Sequence, residues 1–274
     1  MQFQTVRPGV QTVSLPDADA TATLVSGSKA ALLVDTGASP AVGARLREAA
    51  ARATDRPLAT VIVTHGHWDH SFGLAAFADL DTIGAELVAD DMACRENRAW
   101  AADAGLRPDQ LATPATRLGL IGVRDLGGVT VEIAHLGPAH SRSDLILAIP
   151  QLSLLIVGDL VEDGPPQFDE TSSFLGWMNT LDALNSMLHD DTVIIPGHGH
   201  PLGPDDVARF RSGCATIWDT ADWAYTQGIP EDEVYDRGTL EWPWDRGVVE
   251  QGVAVAYREL AAREQAARER PTPV

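Results

Sequence analysis

Residues 59–70 have the sequence ATVIVTHGHWDH, a short apolar run followed at once by three histidines and an aspartate. The run is rich in β-branched residues, which predicts a buried strand ending just before His65. Residues two apart on an extended chain point to the same side, so His65 and His67 face one position. Asp69 and His70 follow where the chain turns toward a helix, and they can face a second position. This segment alone therefore predicts ligands for two adjacent metal ions.

Three later apolar runs also lead into residues that bind metals. These residues are His135 and His140 after the run at 131–134, Asp159 after 154–157, and His198 and His200 after 192–196. In open α/β sheets ligands bind beyond the carboxyl ends of strands, and parallel neighbours in one sheet would bring such ends together. Imidazole and carboxylate groups are ligands that suit zinc. The pattern predicts a metal centre assembled from four strand ends.

The remaining sequence predicts an α/β fold whose strands are covered on both faces. Strands are predicted for eight apolar runs, at 11–15, 22–26, 30–34, 59–63, 129–134, 145–149, 154–157 and 192–196. Helical patterns lie between some of them, at 40–53, 90–103 and 173–189. After Pro201 the strand signals stop, and helices are predicted from about Pro204 to Gly228 and over 246–268. We expect a catalytic domain over residues 1–200 and a helical extension over 201–274 that packs on it and frays at 270–274.

The charge of the chain restricts its partners. The 274 residues include 39 acidic and 20 basic ones, which gives a formal net charge of −19. Such a surface disfavours nucleic acid and an anionic membrane, because both are bound through basic residues. The expected partner is a small-molecule substrate. The N-terminus lacks the features of a signal peptide, and two cysteines make no disulfide framework, so we expect a cytoplasmic protein.

Because of these motifs, the sequence resembles the metallo-β-lactamase superfamily over about residues 10–200. His65 to His70 match the HxHxDH signature of that family, and VDTG at 34–37 is similar to its Asp-Thr-Gly turn. Further matches are the contexts GPAHS, VGD and PGHG, which contain His140, Asp159 and His198. The PGHG context favours His198 over His200 as a ligand. The resemblance implies an αββα sandwich with the metals at one edge of its two sheets.

The resemblance also implies a role for each ligand residue. His65, His67 and His140 would hold one metal, Asp69, His70 and His198 would hold a second, and Asp159 would bridge both. Two Zn²⁺ ions per chain are expected, with iron or manganese as alternatives. The bridging aspartate is similar to that of the thioesterase, lactonase and nuclease branches. Asp69 is also a candidate proton acceptor during turnover.

These expectations lead to a hydrolase that acts on a small ester, thioester or lactone. Zinc lowers the pKa of bound water to roughly 7, so hydroxide is available to attack a carbonyl at neutral pH. The alternatives are a β-lactamase and a mononuclear iron dioxygenase that oxidises persulfides, and the metal content separates the iron enzyme from the zinc hydrolases. A nuclease is disfavoured by the net charge of −19.

Other residues are candidates for the surroundings of the metals or for the substrate pocket. Asp35 is expected to support a ligand histidine or a turn. Trp68 lies inside the metal motif, Trp177 follows the segment 160–176, and His200 lies two residues beyond His198. The segment 160–176 is expected to form a long active-site loop, and the insertion at 90–118, with Trp100, to form another wall of the pocket.

Overall fold

A computed structural model describes residues 1–238 and 241–269 of the chain, so the expected fraying at 270–274 lies outside the described residues. The first sheet has seven strands in chain order: β1 (Gln4–Arg7), β2 (Val10–Ser14), β3 (Thr21–Ser26), β4 (Ala31–Val34), β5 (Leu58–Ile62), β6 (Asp81–Ala85) and β7 (Thr116–Leu118). Neighbours are antiparallel from β1 to β4 and parallel from β4 to β7.

The second sheet has five strands in the order β12-β11-β10-β9-β8. Their bounds are β8 (Ile121–Asp125), β9 (Thr130–Ala134), β10 (Ile146–Ile149), β11 (Leu154–Gly158) and β12 (Val193–Pro196). Strands β8 to β11 are antiparallel to their neighbours, whereas β11 and β12 are parallel. Strands β9, β11 and β12 therefore run in one direction, and their carboxyl ends reach the same edge of the sheet.

Helices cover the outer face of each sheet. The α-helices are α1 (Pro40–Ala53), α2 (Trp68–Ser71), α3 (Val88–Met92), α4 (Arg95–Asp103), α5 (Phe174–Asn185), α6 (Pro204–Thr226), α7 (Val234–Arg237) and α8 (Arg246–Glu269). Short 3₁₀ turns occupy Phe72–Phe77, Pro108–Gln110, Pro150–Leu152 and Glu231–Glu233.

The alternation of side chains along β4 shows how the layers are built. Leu32 and Val34 belong to the apolar cluster between the two sheets, which also includes Ile133 and Leu147. Ala31 and Leu33 face the opposite way, into the cluster that contains Leu46 of α1. Both faces of this strand are buried, which explains its uninterrupted apolar sequence. The result is an αββα sandwich, as expected.

The C-terminal helices pack on the second sheet. Apolar residues of α5, α6 and α8, among them Trp177, Phe210 and Val253, form one cluster with Leu155 and Ile194 of β11 and β12. These helices thus share a continuous apolar core with the sandwich. None of the helices in the described part of the chain has the length and apolar character needed to cross a membrane.

The predicted elements differ from the structure in a few places. All eight predicted strands are present to within one residue at each end, but β1, β6, β7 and β8 were missed. The single helix expected at 90–103 is wrong: Cys94 adopts an extended conformation and its Sγ accepts a hydrogen bond from the Asn97 N–H, so α4 starts anew there. The helix expected at 173–189 ends earlier, at Asn185.

Candidate metal centre

The HxHxDH segment forms the turn from β5 into α2. His65 and His67 lie on the extended part of this turn, and α2 begins at Trp68, which places Asp69 and His70 on its first turn. Only glycine fits at Gly66, because a Cβ atom there would lie 2.6 Å from the Cβ of Asp91. The sequence thus brings four side chains to one sheet edge by a single tight turn.

The other three residues arrive from the second sheet. His140 lies in the loop after β9, Asp159 follows β11 directly, and His198 follows β12. The sequence left the strand order open: β5 belongs to the first sheet, β9, β11 and β12 belong to the second, and β9 is separated from β11 by β10. The seven side chains meet because the two packed sheets end at a common edge.

Two compact groups of side chains result. His65, His67, His140 and Asp159 form the first group, and Asp69, His70 and His198 form the second; in each group one ligand atom per residue lies within 4.8 Å of the others. In the first, Nδ1 of His67 lies 2.8 Å from Nε2 of His140. In the second, Nε2 of His198 lies 3.3 Å from Nε2 of His70 and 3.2 Å from Oδ2 of Asp69.

Asp159 lies between the two groups. Its Oδ2 is 3.6 Å from Nε2 of both His65 and His140, and its Oδ1 is 3.2 Å from Nε2 of His70. The residue is 3% exposed, and Oδ1 has no hydrogen-bond partner among the described residues. A buried oxygen without a partner is costly unless a cation or donor satisfies it. Its position and this orphaned atom fit a carboxylate that binds cations.

In three of the histidines, Nδ1 points away from the two groups and forms a hydrogen bond with an oxygen atom. Nδ1 of His70 lies 2.9 Å from Oδ2 of Asp35. Nδ1 of His140 and Nδ1 of His198 donate to the backbone oxygens of Gln167 and Ala18. These contacts direct Nε2 of all three rings into the groups, which is the orientation expected of metal-binding histidines.

His67 has the opposite orientation. Its Nε2 lies 3.0 Å from Oδ2 of Asp169, so Nδ1 is the ring nitrogen that faces the first group. Burial opposes the charged imidazolium, but the hydrogen bond and charge of Asp169 prevail and raise the pKa of His67 to about 9. Burial lowers the pKa of His140 to about 4 and also lowers that of His65. Those two rings are therefore neutral at pH 7, as metal binding requires.

Asp35 occupies a strained position that supports this arrangement. Its φ angle is +63°, in the left-handed region that non-glycine residues rarely adopt. Oδ1 accepts a hydrogen bond from the Thr64 N–H, while Oδ2 contacts His70. The strained backbone thus lets one carboxylate fix both the end of β5 and the ring of His70.

The remaining candidates lie in different surroundings. Trp177 is 1% exposed, donates from Nε1 to the Leu160 carbonyl, and packs against the ring of His140 without lining the cavity over the metal groups. His200 belongs to neither group: its side chain is 92% exposed and pairs with Asp163. His135 is also outside, with Nδ1 bound to the Asp144 carbonyl.

A cavity of about 340 Å³ opens over the two groups. Trp68 and Glu96 line one side, and Phe168 of the 160–176 segment lines another. Trp100 stacks on Trp68 with ring centroids 4.2 Å apart, so the 90–118 insertion supports that wall. Val248 and Gln251 of α8 complete the lining. The C-terminal helix therefore contributes directly to the cavity.

Sequence reasoning missed three of these features. Asp169, Glu96 and the α8 residues carry no motif, and each reaches the site only through tertiary contacts. Only Asp169 had a signal in the sequence. It lies in the segment 160–176, which was expected to form an active-site loop, and an aspartate in such a loop is a candidate partner for a ligand histidine.

The chain resembles known proteins in both its sequence and its fold. The sequence model of the family described as the Metallo-beta-lactamase superfamily matches residues 15–200. The chain is 30% identical over 223 residues to the acyl-coenzyme A thioesterase MBLAC2 of Bos taurus, a match that covers 69% of this chain and 76% of that protein.

Two solved structures share the fold. The stereoselective inverting sec-alkylsulfatase Pisa1 from Pseudomonas sp. gives a TM-score of 0.76 at 17% identity and covers 99% of this chain. This chain spans only 52% of that protein. A metallo-beta-lactamase from Pontibacter korlensis gives a TM-score of 0.64 at 19% identity, covering 78% of this chain and 98% of that one.

Proposed function

The chain belongs to the metallo-β-lactamase superfamily and is a hydrolase of that family, and we propose that it uses two zinc ions to hydrolyse a small ester, thioester or lactone. The position of Asp159 carries the proposal. Its carboxylate faces the imidazoles of both groups at 3.2–3.6 Å, as a ligand shared by two cations would. The thioesterase relative supports acyl transfer to water as the reaction.

The donor set supports zinc as the metal. His65, His67 and His140 would hold one ion, and Asp69, His70 and His198 would hold the other, with Asp159 between them. Imidazole and carboxylate ligands suit zinc, and they also accommodate iron or manganese. When bound, two zinc ions supply water activated at neutral pH and polarise the carbonyl of the substrate.

The residues around the centre orient the substrate and handle protons. Asp69 lines the cavity. Burial would raise its pKa, but the charge of His70 and the hydrogen bond and charge of His198 together lower it, so the carboxylate is ionised at pH 7. An ionised carboxylate at this position is able to accept a proton. Trp68 and Phe168 provide apolar surface against which a small substrate packs, and they exclude bulk water.

Charge supports a small acyl compound over a polyanion. A nuclease must collect several phosphates, whereas this chain has a net charge of −19 that repels them at long range. We therefore propose a small-molecule substrate, with no nucleic acid or anionic membrane as partner. Cys94 and Cys214 are both free and buried, which supports a cytoplasmic location.

Metal analysis and a substrate panel test the proposal together. Elemental analysis of gently purified protein should give about two zinc ions per chain. The panel contains small esters, thioesters and lactones, a β-lactam, an alkyl sulfate, a persulfide and RNA, with Asp159→Asn as the control for background hydrolysis. Turnover of an acyl substrate that Asp159→Asn loses supports the proposal. One iron per chain with oxygen consumed on the persulfide contradicts it, as does turnover of the β-lactam, sulfate or RNA alone.

A further inference from the structure

The wall of the cavity combines a carboxylate with two stacked indoles. Glu96 and Trp100 lie four residues apart on α4, which places them on one face of the helix. Trp100 covers one face of Trp68, and both Trp68 and Glu96 line the cavity over the metal groups. Aromatic faces attract organic ammonium groups, and a carboxylate that lines the same cavity supplies the opposite charge.

Glu96 has no competing partner. Its carboxylate makes no hydrogen bond or ion pair with any of the residues 1–238 and 241–269 that the structure describes. Neighbouring Arg95 pairs instead with Glu170, and Arg98 donates to the Ala93 carbonyl. Glu96 is an exposed residue, and partial desolvation of its carboxyl raises its pKa from the ordinary value, which an adjacent cation would reverse. The carboxylate is therefore available to a ligand.

The cavity offers nothing that would bind an anion beyond the metal site itself. No lysine or arginine is among the described residues that line it, whereas Asp69, Glu96, Asp159 and Asp169 all do. Two Zn²⁺ ions with four positive charges would only balance these four carboxylates. On α8, which frames the same cavity, Arg246 pairs with Asp236 and Glu250, and Arg258 donates to the Ser172 carbonyl.

From these observations we infer that the substrate is an ester or thioester whose alcohol or thiol part carries an ammonium group, and that Glu96 determines this specificity. The inference rests on the proposed hydrolase function. Water adds to the carbonyl, the carbon–sulfur or carbon–oxygen bond breaks, and the leaving sulfur or oxygen takes a proton as the carboxylic acid is released. Coenzyme A thioesters, which carry several phosphate charges, are disfavoured by the same lining.

Three thioesters test this specificity. Acetylthiocholine carries the cation, S-(3,3-dimethylbutyl) thioacetate is its uncharged isostere, and acetyl-coenzyme A carries the phosphates. We expect kcat/KM for acetylthiocholine to exceed that of the isostere by about 5–10-fold at low salt and that of acetyl-coenzyme A by about tenfold or more. Glu96→Gln should bring the ratio of the first two close to one. The control Glu86→Gln, an exposed glutamate outside the cavity, should keep the ratio.

A binding measurement separates failure of this inference from failure of the proposed function. Choline and 3,3-dimethylbutanol are titrated calorimetrically into the zinc-loaded protein and its Glu96→Gln variant. Choline should bind wild type more tightly than the alcohol does, and Glu96→Gln should abolish the difference. Equal binding of choline by both proteins, or acetyl-coenzyme A as the best substrate, overturns the inference. If none of the esters, thioesters and lactones in the panel is hydrolysed faster than by Asp159→Asn, the proposed function fails, and the choline titration alone then decides whether Glu96 binds an ammonium group.

Discussion

Nε2 of His67 lies 3.0 Å from Oδ2 of Asp169, although 102 residues separate the two in the chain. The other carboxylate oxygen of Asp169 accepts hydrogen bonds from the backbone N–H and the hydroxyl of Thr171. One aspartate therefore fixes both the ring of a candidate metal ligand and the loop that borders the cavity. It links the order of that loop to the geometry of the metal centre.

Replacement of Asp169 should weaken metal binding. In Asp169→Asn the loop can keep its hydrogen bonds, but His67 loses the negative charge that makes its ring a stronger ligand. We expect zinc affinity to fall by about 10–100-fold, the usual effect of altering such a partner. Competition with a chromophoric chelator measures it. Asp163→Asn, which removes the negative charge that faces the exposed His200, is the matched control and should bind zinc as wild type does.

Asp159 should be needed for both metals to bind together. Asp159→Asn removes the charge between the two groups, so we expect the metal content to fall from about two ions to one or fewer. Hydrolysis should drop by more than about 100-fold, because even residues that only support a ligand cost up to that factor. Elemental analysis and kcat/KM on the same preparation measure both effects. Full metal content in this variant would show that Asp159 is not a shared ligand.

His198 and His200 should differ sharply despite their spacing. His198→Ala should lose one metal and most activity, because its Nε2 faces Asp69 and His70. The His200 side chain is 92% exposed, so His200→Ala should retain both metals and change kcat/KM by less than about twofold. Metal content of the two variants, measured side by side, decides the matter. Loss of metal from His200→Ala but not from His198→Ala would contradict the assignment.

Glu162 should make the metal-free protein less stable at high pH. Burial and the nearby Asp159 raise the pKa of Glu162 to about 8, and its Oε1 has no partner among the described residues. The folded state therefore keeps a proton that the unfolded chain releases above about pH 4.3. The free energy of unfolding consequently falls as the pH rises from about 4.3 to about 8.

Glu162→Gln should accordingly stabilise the chelator-treated protein by about 1–3 kcal/mol at pH 8.5 and by much less at pH 5. Chelation is needed because bound cations would lower the pKa of the carboxyl. Urea unfolding at the two pH values gives the free energies, with exposed Glu86→Gln as the control. An equal effect at both pH values would show that Glu162 does not titrate in this window.

Gly43 should not tolerate alanine, although it lies in a helix. Alanine in place of a helical glycine usually stabilises by about 0.5–1 kcal/mol. At Gly43, however, a Cβ atom would lie 2.2 Å from the carbonyl oxygen of Gly73, in the turn that follows the metal motif. We expect Gly43→Ala to lower the free energy of unfolding by about 1–3 kcal/mol. Gly247→Ala, with no atom within 4 Å of the added Cβ, should be neutral or stabilising.

Local sequence patterns were enough to predict much of the fold. Strands such as β4 and β11 are buried on both faces, so their apolar runs are visible without any tertiary information. Helix α1 has the bounds expected from its helical pattern, and in the structure Ser39 caps it and Pro40 begins it. Strands β7 and β8 were missed because they are short or largely exposed, and only their partners in the sheet make them strands.

The sequence by itself determined which residues are candidates for the metals, because HGHWDH and the three later strand ends carry side chains that few other functions require. The tertiary structure decided how they meet. Two packed sheets bring β5 to the same edge as β9, β11 and β12, and Asp159 lies between two groups as a result. It also decided that Asp169, Glu96 and α8 border the cavity. Contacts between residues far apart in the chain depend on the packing of whole layers, and no local pattern encodes them.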